Sequence, residues 1–222
     1  MAFSGHRYYV MFIDNHSRCT WVYLLKKKSN VLPLFTQFLI KTQYNIVVYA
    51  IRFDNGGEYI SDAFCSQLNQ KGILHQLTCP QTPEQNGVAE RKNCHIMSIV
   101  RCLLCGMHVP KSYWHIVVLI AVYLMNSTPS WVLHGMAPLQ FLMPDSTLFL
   151  ILPHMFGCTC FVQNCSPTRT KLDYKSIRCI FLGYSTMSKA YRCYDPDSRH
   201  LYHSLDVTFF EDIPFYGTHS PL

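Results

Sequence analysis

Charge is scarce in this sequence. Only 14% of its 222 residues are Asp, Glu, Lys or Arg, against 49% hydrophobic, a balance that excludes a disordered chain and leaves material for a real core. Long apolar runs are also missing. The longest, Trp114 to Met125, contains His115 and falls short of the roughly 20 residues a bilayer-spanning helix needs, so it reads as a core helix and no membrane partner is expected. No signal-peptide pattern opens the chain. The eleven cysteines, odd in number and set mostly in apolar runs, read as reduced thiols of an intracellular protein. Cys102-Leu-Leu-Cys105 has metal-ligand spacing, but no second Cys or His pair stands at finger distance. Buried helix cysteines are therefore expected in place of zinc ligands.

What charge there is leans positive, at +6 with eleven histidines in reserve, which weakly favours a polyanionic partner. The length suits one large domain or two modest ones. Residues 8–13 and 19–25 are rich in β-branched and aromatic types and flank Asp14-Asn15-His16-Ser17-Arg18, which predicts a hairpin. After the solvated turn Lys26-Lys27-Lys28, Ser29 is expected to cap a helix with apolar residues at 31, 32, 34, 35, 38 and 39, running to about 44. Residues 46–53 form a nearly continuous apolar run, the pattern of a strand buried on both faces in a mixed or parallel sheet with helices above and below. Ser61-Asp62 opens a short helix with Phe64 and Leu68 inward and Gly72 as its stop, and 73–77 is a further strand. A long helix from about Val88 carries Ile96, Val100, Leu103 and Leu104 on its apolar face and Arg91, Lys92 and His95 opposite.

From His154 the texture changes to short strands at 156–162, 178–184, 190–194 and 201–209, the last two joined by Asp195-Pro196-Asp197-Ser198. This predicts a small all-β unit, barrel-like by strand count. Between Arg169 and Arg192 it has six basic residues and one acid, Asp173.

The stretch Ile51-Arg52-Phe53-Asp54-Asn55-Gly56-Gly57-Glu58-Tyr59 leaves two readings open. Asp-Asn-Gly is the commonest kind of turn signal. Asp54 is also followed thirty-six positions later by Glu90, at the first turn of a helix. Two carboxylates about 4 Å apart would repel by roughly 4 kcal/mol at an effective dielectric near 20, so a divalent cation is the natural way to hold them together. Oxygen-only ligands favour Mg²⁺ or Mn²⁺, and such ions activate water or a hydroxyl in phosphodiester displacement. Glu58 and Glu84 compete for the role of second ligand, but the basic neighbours Arg91, Lys92 and His95 favour Glu90, since a phosphodiester needs cations beside the metal.

The segments GHRYYVMFIDNHSRCTWVYLLKKKS, IRFDNGGEY, CPQTPEQNGVAERKN, RCIFLGYS and YDPDSRHLYHSLDVTFFE together resemble the integrase region of copia-type LTR retrotransposon Pol polyproteins, over nearly the whole chain. The resemblance implies an α/β fold: a ribonuclease H-like integrase core, a mixed sheet flanked by helices, followed by an SH3-like β-barrel. It divides the chain into a partial core (1–126), a linker (127–153), the barrel (154–214) and a tail (215–222). It also implies an Asp, Asp, Glu triad whose last two members have thirty-five residues between them, a spacing that Asp54 and Glu90 match. Asn93 matches an Asn beside the metal site, with Mg²⁺ or Mn²⁺ as cofactor. The implied DNA-binding residues are Arg91, Lys92 and His95 in the core and Arg169, Lys171 and Lys175 in the barrel. Element cDNA ends and target DNA are the implied partners, in a homo-oligomer acting in the nucleus.

Departures accompany the matches. The family's first triad Asp stands on a strand ahead of residues 4–10, and this sequence opens there at Met1-Ala2-Phe3. Asp14, in the hairpin turn, is no substitute. The expectation is impaired integration, a sheet lacking that strand, and a poorly stable chain. Where the family usually has a basic residue, an aromatic and an Arg, this sequence has Cys94, Cys19 and Ser127, the scattered losses of a decaying element copy. The alternative is a non-catalytic nucleic-acid-binding or multimerising remnant.

Overall fold

Alternation of apolar side chains along Tyr8–Ile13 (β1) and Thr20–Leu25 (β2) gives an antiparallel hairpin in register from Tyr8 opposite Leu25 to Ile13 opposite Thr20. Directly opposite residues share a face. One face therefore presents Val10, Phe12, Trp21, Tyr23 and Leu25 to a core, and the other presents Tyr9, Met11 and Val22. The hairpin belongs to a computed structural model that describes residues 5–40, 47–53, 56–57, 59–78, 86–149, 151–167, 169–185 and 188–217. The chain forms two compact units, residues 1–97 with 128–146 and residues 98–127 with 147–222.

In the first unit a 3-10 turn, Lys28–Asn30, leads straight into helix α1, Val31–Ile40. Ser29 sits inside that turn, so it does not cap α1: the backbone is already helical when α1 begins. Val31, Phe35 and Phe38 recur at helical spacing and are buried. Strand β3, Ala50–Phe53, pairs in parallel with β4, Leu74–Leu77, through α2, Asp62–Gln70, the crossover a parallel pair requires. α2 buries Phe64 and Leu68. It ends where Gly72, at φ +66°, lets the Ile73 N–H donate to Leu68 O and its own N–H to Asn69 O, the hydrogen-bond pattern of a left-handed helix stop. One cluster unites these elements: Val10, Phe12, Leu25, Val31, Phe35, Phe38, Phe53, Phe64, Leu68 and Ile73.

The run expected to be a strand buried on both faces is shorter and more open. Among the described residues β3 begins at Ala50, only Phe53 is buried, and Val47 and Tyr49 are 66% and 79% exposed. β1 pairs with β2 and β3 with β4, and no ladder joins the two pairs among the described residues.

Helix α3, Gly87–Gly106, buries Ile96 and Val100, four residues apart. Cys102 and Cys105 are exposed, contrary to expectation. Position 105 lies nine residues from Ile96, half a turn round the helix, so it faces water. Among the described residues no group of three His, Cys, Asp or Glu side chains is placed to hold a metal.

The second unit contains α4, Trp114–Ser127, whose buried residues fall on all sides from His115 to Met125, as expected of a core helix. No single helix among the described residues is long and apolar enough to cross a membrane. Five antiparallel strands follow, β5 (Cys158–Gln163), β6 (Ser176–Tyr184), β7 (Tyr191–Asp195), β8 (His200–Ser204) and β9 (Val207–Pro214), in the order β8-β7-β6-β5-β9. The single strand expected at 201–209 is thus two. Ser204 Oγ accepts the Asp206 N–H and donates to Asp206 O, and this tight turn sends β8 to β7 and β9 to β5. In the segment 127–153 lie a 3-10 turn, Trp131–Leu133, and the short helix α5, Pro138–Leu142.

Candidate metal and nucleic-acid site

The first turns of α3 carry most of the residues singled out in the core. Glu90 stands in the first turn with its side chain exposed. An anion there is favoured by the positive end of the helix dipole. Asp54, the other expected carboxylate, lies outside the described residues, as do Glu58 and Glu84. The structure therefore places one end of the predicted pair.

Arg91 and His95 are exposed. The Arg91 guanidinium folds back toward the helix start, where a methyl group on Gly87 would stand 3.1 Å from its Nη1. Lys92, expected opposite the apolar face, lies closer to that face. It precedes the buried Ile96 by four residues and so shares its face. It is half-buried, and desolvation lowers its pKa; Cys19 pulls the other way and Arg18 adds to the lowering. Cys19 is buried in turn, and burial pushes its thiol up to about 11.

Asn93 projects toward the hairpin, where the Tyr9 hydroxyl donates to its Oδ1. Sequence reasoning missed Tyr9, although strand alternation signals it: Val10 and Phe12 face the α1 core, so Tyr9 must face the other way. Burial raises the Tyr9 pKa further above its ordinary value.

Asp14 is a turn residue, as its position in the hairpin implied. Its Oδ2 accepts from the Ser17 N–H at 2.9 Å and the Ser17 hydroxyl at 2.6 Å, and its Oδ1 from the His16 N–H at 3.3 Å. Partial burial alone would raise the carboxyl, but the Ser17 hydroxyl and the backbone donors of Ser17 and His16 together hold it below its ordinary 3.8. A depressed carboxyl stabilises the fold above its unfolded pKa and loses that contribution as pH falls through the folded one. Asp14→Asn should therefore cost about 1 kcal/mol at neutral pH, a figure tempered by solvent, and less at pH 2. Urea titrations of both proteins at the two pH values measure this; an equal difference at both would remove the carboxylate from the account.

In the second unit Arg169, Lys171 and Lys175 are exposed on the segment between β5 and β6. That segment is braced from within. The Thr170 N–H and hydroxyl donate to Asp173 Oδ2 at 2.7 and 2.9 Å, and the Asn164 N–H donates to Lys175 O at 2.8 Å. The loop's acid is thus engaged by Thr170 at the surface, and its cations also face solvent.

Comparison with known proteins places this architecture. Residues 158–221 match the model of the retroviral polymerase SH3-like domain. The chain is 40% identical over 217 residues to the retrovirus-related Pol polyprotein from transposon TNT 1-94 of Nicotiana tabacum, covering 95% of this chain and 16% of that polyprotein. It is 38% identical over 218 residues to the corresponding polyprotein from transposon RE1 of Arabidopsis thaliana, covering 97% and 15%. The chain thus spans about one sixth of the length of these relatives. Among solved structures, a chain of the simian T-cell lymphotropic virus intasome in complex with PP2A regulatory subunit B56 gamma matches 94% of this chain and 70% of its own length, at 15% identity and TM-score 0.52. The HTLV-2 integrase catalytic core domain in complex with magnesium matches 59% of this chain and 81% of its own, at 20% identity and TM-score 0.46. Over nearly its whole length the chain is therefore homologous to one segment of the retrovirus-related Pol polyproteins of transposons, and its residues 158–221 correspond to the retroviral polymerase SH3-like domain.

Proposed function

We propose that this region carries DNA-integration chemistry: divalent-metal-dependent cleavage at element cDNA 3′ ends, then attack of the freed 3′-hydroxyl on a target phosphodiester. The observation that carries the reading is Glu90, an exposed carboxylate in the first turn of α3, thirty-six positions beyond Asp54 and beside Asn93 and Arg91. The donor set is oxygen-only, which fits Mg²⁺ or Mn²⁺ and not a thiolate-seeking metal. Asp54 and Glu90 would hold the ion, which when bound supplies positive charge to a phosphodiester.

The chain's own residues do the rest. Tyr9 fixes the Asn93 carboxamide by its oxygen, which sets the orientation of the amide NH₂ beside Glu90. Arg91 and His95, exposed on α3, receive DNA phosphates, and Lys92 adds its charge from a less hydrated position. Arg169, Lys171 and Lys175 contact DNA from the second unit. The reading includes self-association into a homo-oligomer and action in the nucleus.

The test is Mn²⁺-dependent strand transfer on oligonucleotide duplexes with wild-type protein and Glu90→Gln. Any joined products formed by wild type, however few, should vanish in the variant. Equal signal from both would reject Glu90 as a metal ligand. Duplex binding without joining by either would favour the non-catalytic reading, a nucleic-acid-binding remnant.

A further inference from the structure

The outer face of β9, β5 and β6 combines features that DNA-backbone binding does not need. Along β5, Cys158, Cys160 and Val162 point into the barrel at 0–3% exposure, so Phe161 and Gln163 point out. On β9, Phe209 lies opposite Cys160, and Thr208 and Phe210 fall on the outer face, opposite Phe161 and Thr159. The Phe161 and Phe210 rings meet edge to face at 5.5 Å, and Phe210 remains 44% exposed. An open groove of about 540 Å³ runs over them, with Gln163, Lys175, Ser176 and Thr208 among its lining and Asp206 also on its wall.

The β5–β6 segment next to this groove holds two large apolar side chains out in water: Leu172 at 98% and Tyr174 at 89% exposure. They are not loose ends. Besides the Thr170 and Asn164 bonds already described, Asn164 Nδ2 donates to Tyr174 O at 3.2 Å. Apolar groups held clear of the core by a braced loop mark a contact surface. Arg169, Lys171 and Lys175 surround them, so the partner is anionic.

We infer that this face binds unpaired nucleotides of a single-stranded nucleic acid. Bases stack on Tyr174 and the Phe161–Phe210 pair, and phosphates follow Lys171 and Lys175. Aromatic faces and a cationic rim are the combination that single strands use, because a duplex keeps its base faces stacked inside. Gln163, Ser176 and Thr208 offer hydrogen bonds to base edges. Asp206 repels phosphate, which keeps the backbone on the lysine side of the groove. This inference rests on the nucleic-acid reading proposed above.

The full chain is titrated into a labelled twelve-nucleotide oligo-dT and into a random-sequence duplex of the same length, by fluorescence anisotropy over a range of salt. Tyr174→Ala should weaken oligo-dT binding about ten-fold and leave duplex binding and the salt slope unchanged; Tyr174→Trp should restore it. Lys171→Gln and Lys175→Gln should each reduce the slope of log K against log salt by about 0.7. Asp206→Asn should tighten oligo-dT binding. Because the Tyr174 side chain is almost wholly in solvent, its removal leaves the fold intact, and a thermal melt checks this. Oligo-dT binding unchanged in both Tyr174→Ala and Phe210→Ala overturns the inference. So does sedimentation showing that Phe210→Ala splits a dimer while the wild type ignores oligo-dT. Wild type that binds neither probe at low salt overturns the nucleic-acid reading as well, which duplex binding alone does not.

Discussion

Phe64→Ala is expected to lower the stability of the first unit by about 3–5 kcal/mol. The side chain has 0% exposure and stands where three elements meet. Its ring stacks on Phe35 of α1 at 5.2 Å and meets Phe53 of β3 edge-on at 5.1 Å and Tyr59 at 5.9 Å. Removing it leaves a cavity that aromatic neighbours cannot collapse to fill, and deletes ring contacts worth more than their area. The consequence reaches the candidate site, because β3 is paired only to β4 among the described residues and its last residue, Phe53, directly precedes Asp54. Hydrogen-exchange mass spectrometry should show faster exchange in α1, α2 and β3 while the β5–β9 sheet keeps its protection. A loss below about 1 kcal/mol, small against the usual cost of an aromatic truncation, would mean that Phe64 does not join these elements.

Gly157→Ala should cost the second unit about 3 kcal/mol, from two sources of similar size. Gly157 has φ +84°, a conformation that charges an alanine about 1–2 kcal/mol. The added methyl would also stand 2.9 Å from Met107 Cβ, with Val109 Cγ2 closer still, and overpacking of that kind costs about 1–3 kcal/mol. Gly72→Ala separates the two, since Gly72 has φ +66° but nothing within 4 Å of a new methyl; it should show the backbone cost alone. Urea midpoints followed by hydrogen exchange compare them. Equal losses at both positions would mean that the 107–109 segment yields to the methyl at no cost.

Local signals were legible wherever a pattern has one solution. The hairpin at 8–25, the amphipathic rows of α1 and α3, the inward Phe64 and Leu68, and the stop at Gly72 all follow from period and turn chemistry, and the structure has them. The division of 201–209 was not legible. Nothing in a run of strand formers tells which neighbour each half will pair with, and the Ser204–Asp206 turn decides it. The exposure of Cys102 and Cys105 was missed because the expectation weighed their apolar neighbours in sequence and not their helical spacing from Ile96, which turns position 105 to water.

The candidate site divides in the same way. By itself the sequence determined the spacing from Asp54 to Glu90, the basic run after Glu90 and the cationic stretch from Arg169, because chemistry-bearing residues and their intervals are written directly in the chain. Only the tertiary structure could turn Lys92 inward beside Cys19, place the Tyr9 hydroxyl on Asn93, and lay Phe161 and Phe210 side by side outside the barrel. These contacts join residues 49 to 84 positions apart. Such pairs are set by which faces pack and in what register, a property of the assembled sheets and helices that no local pattern carries.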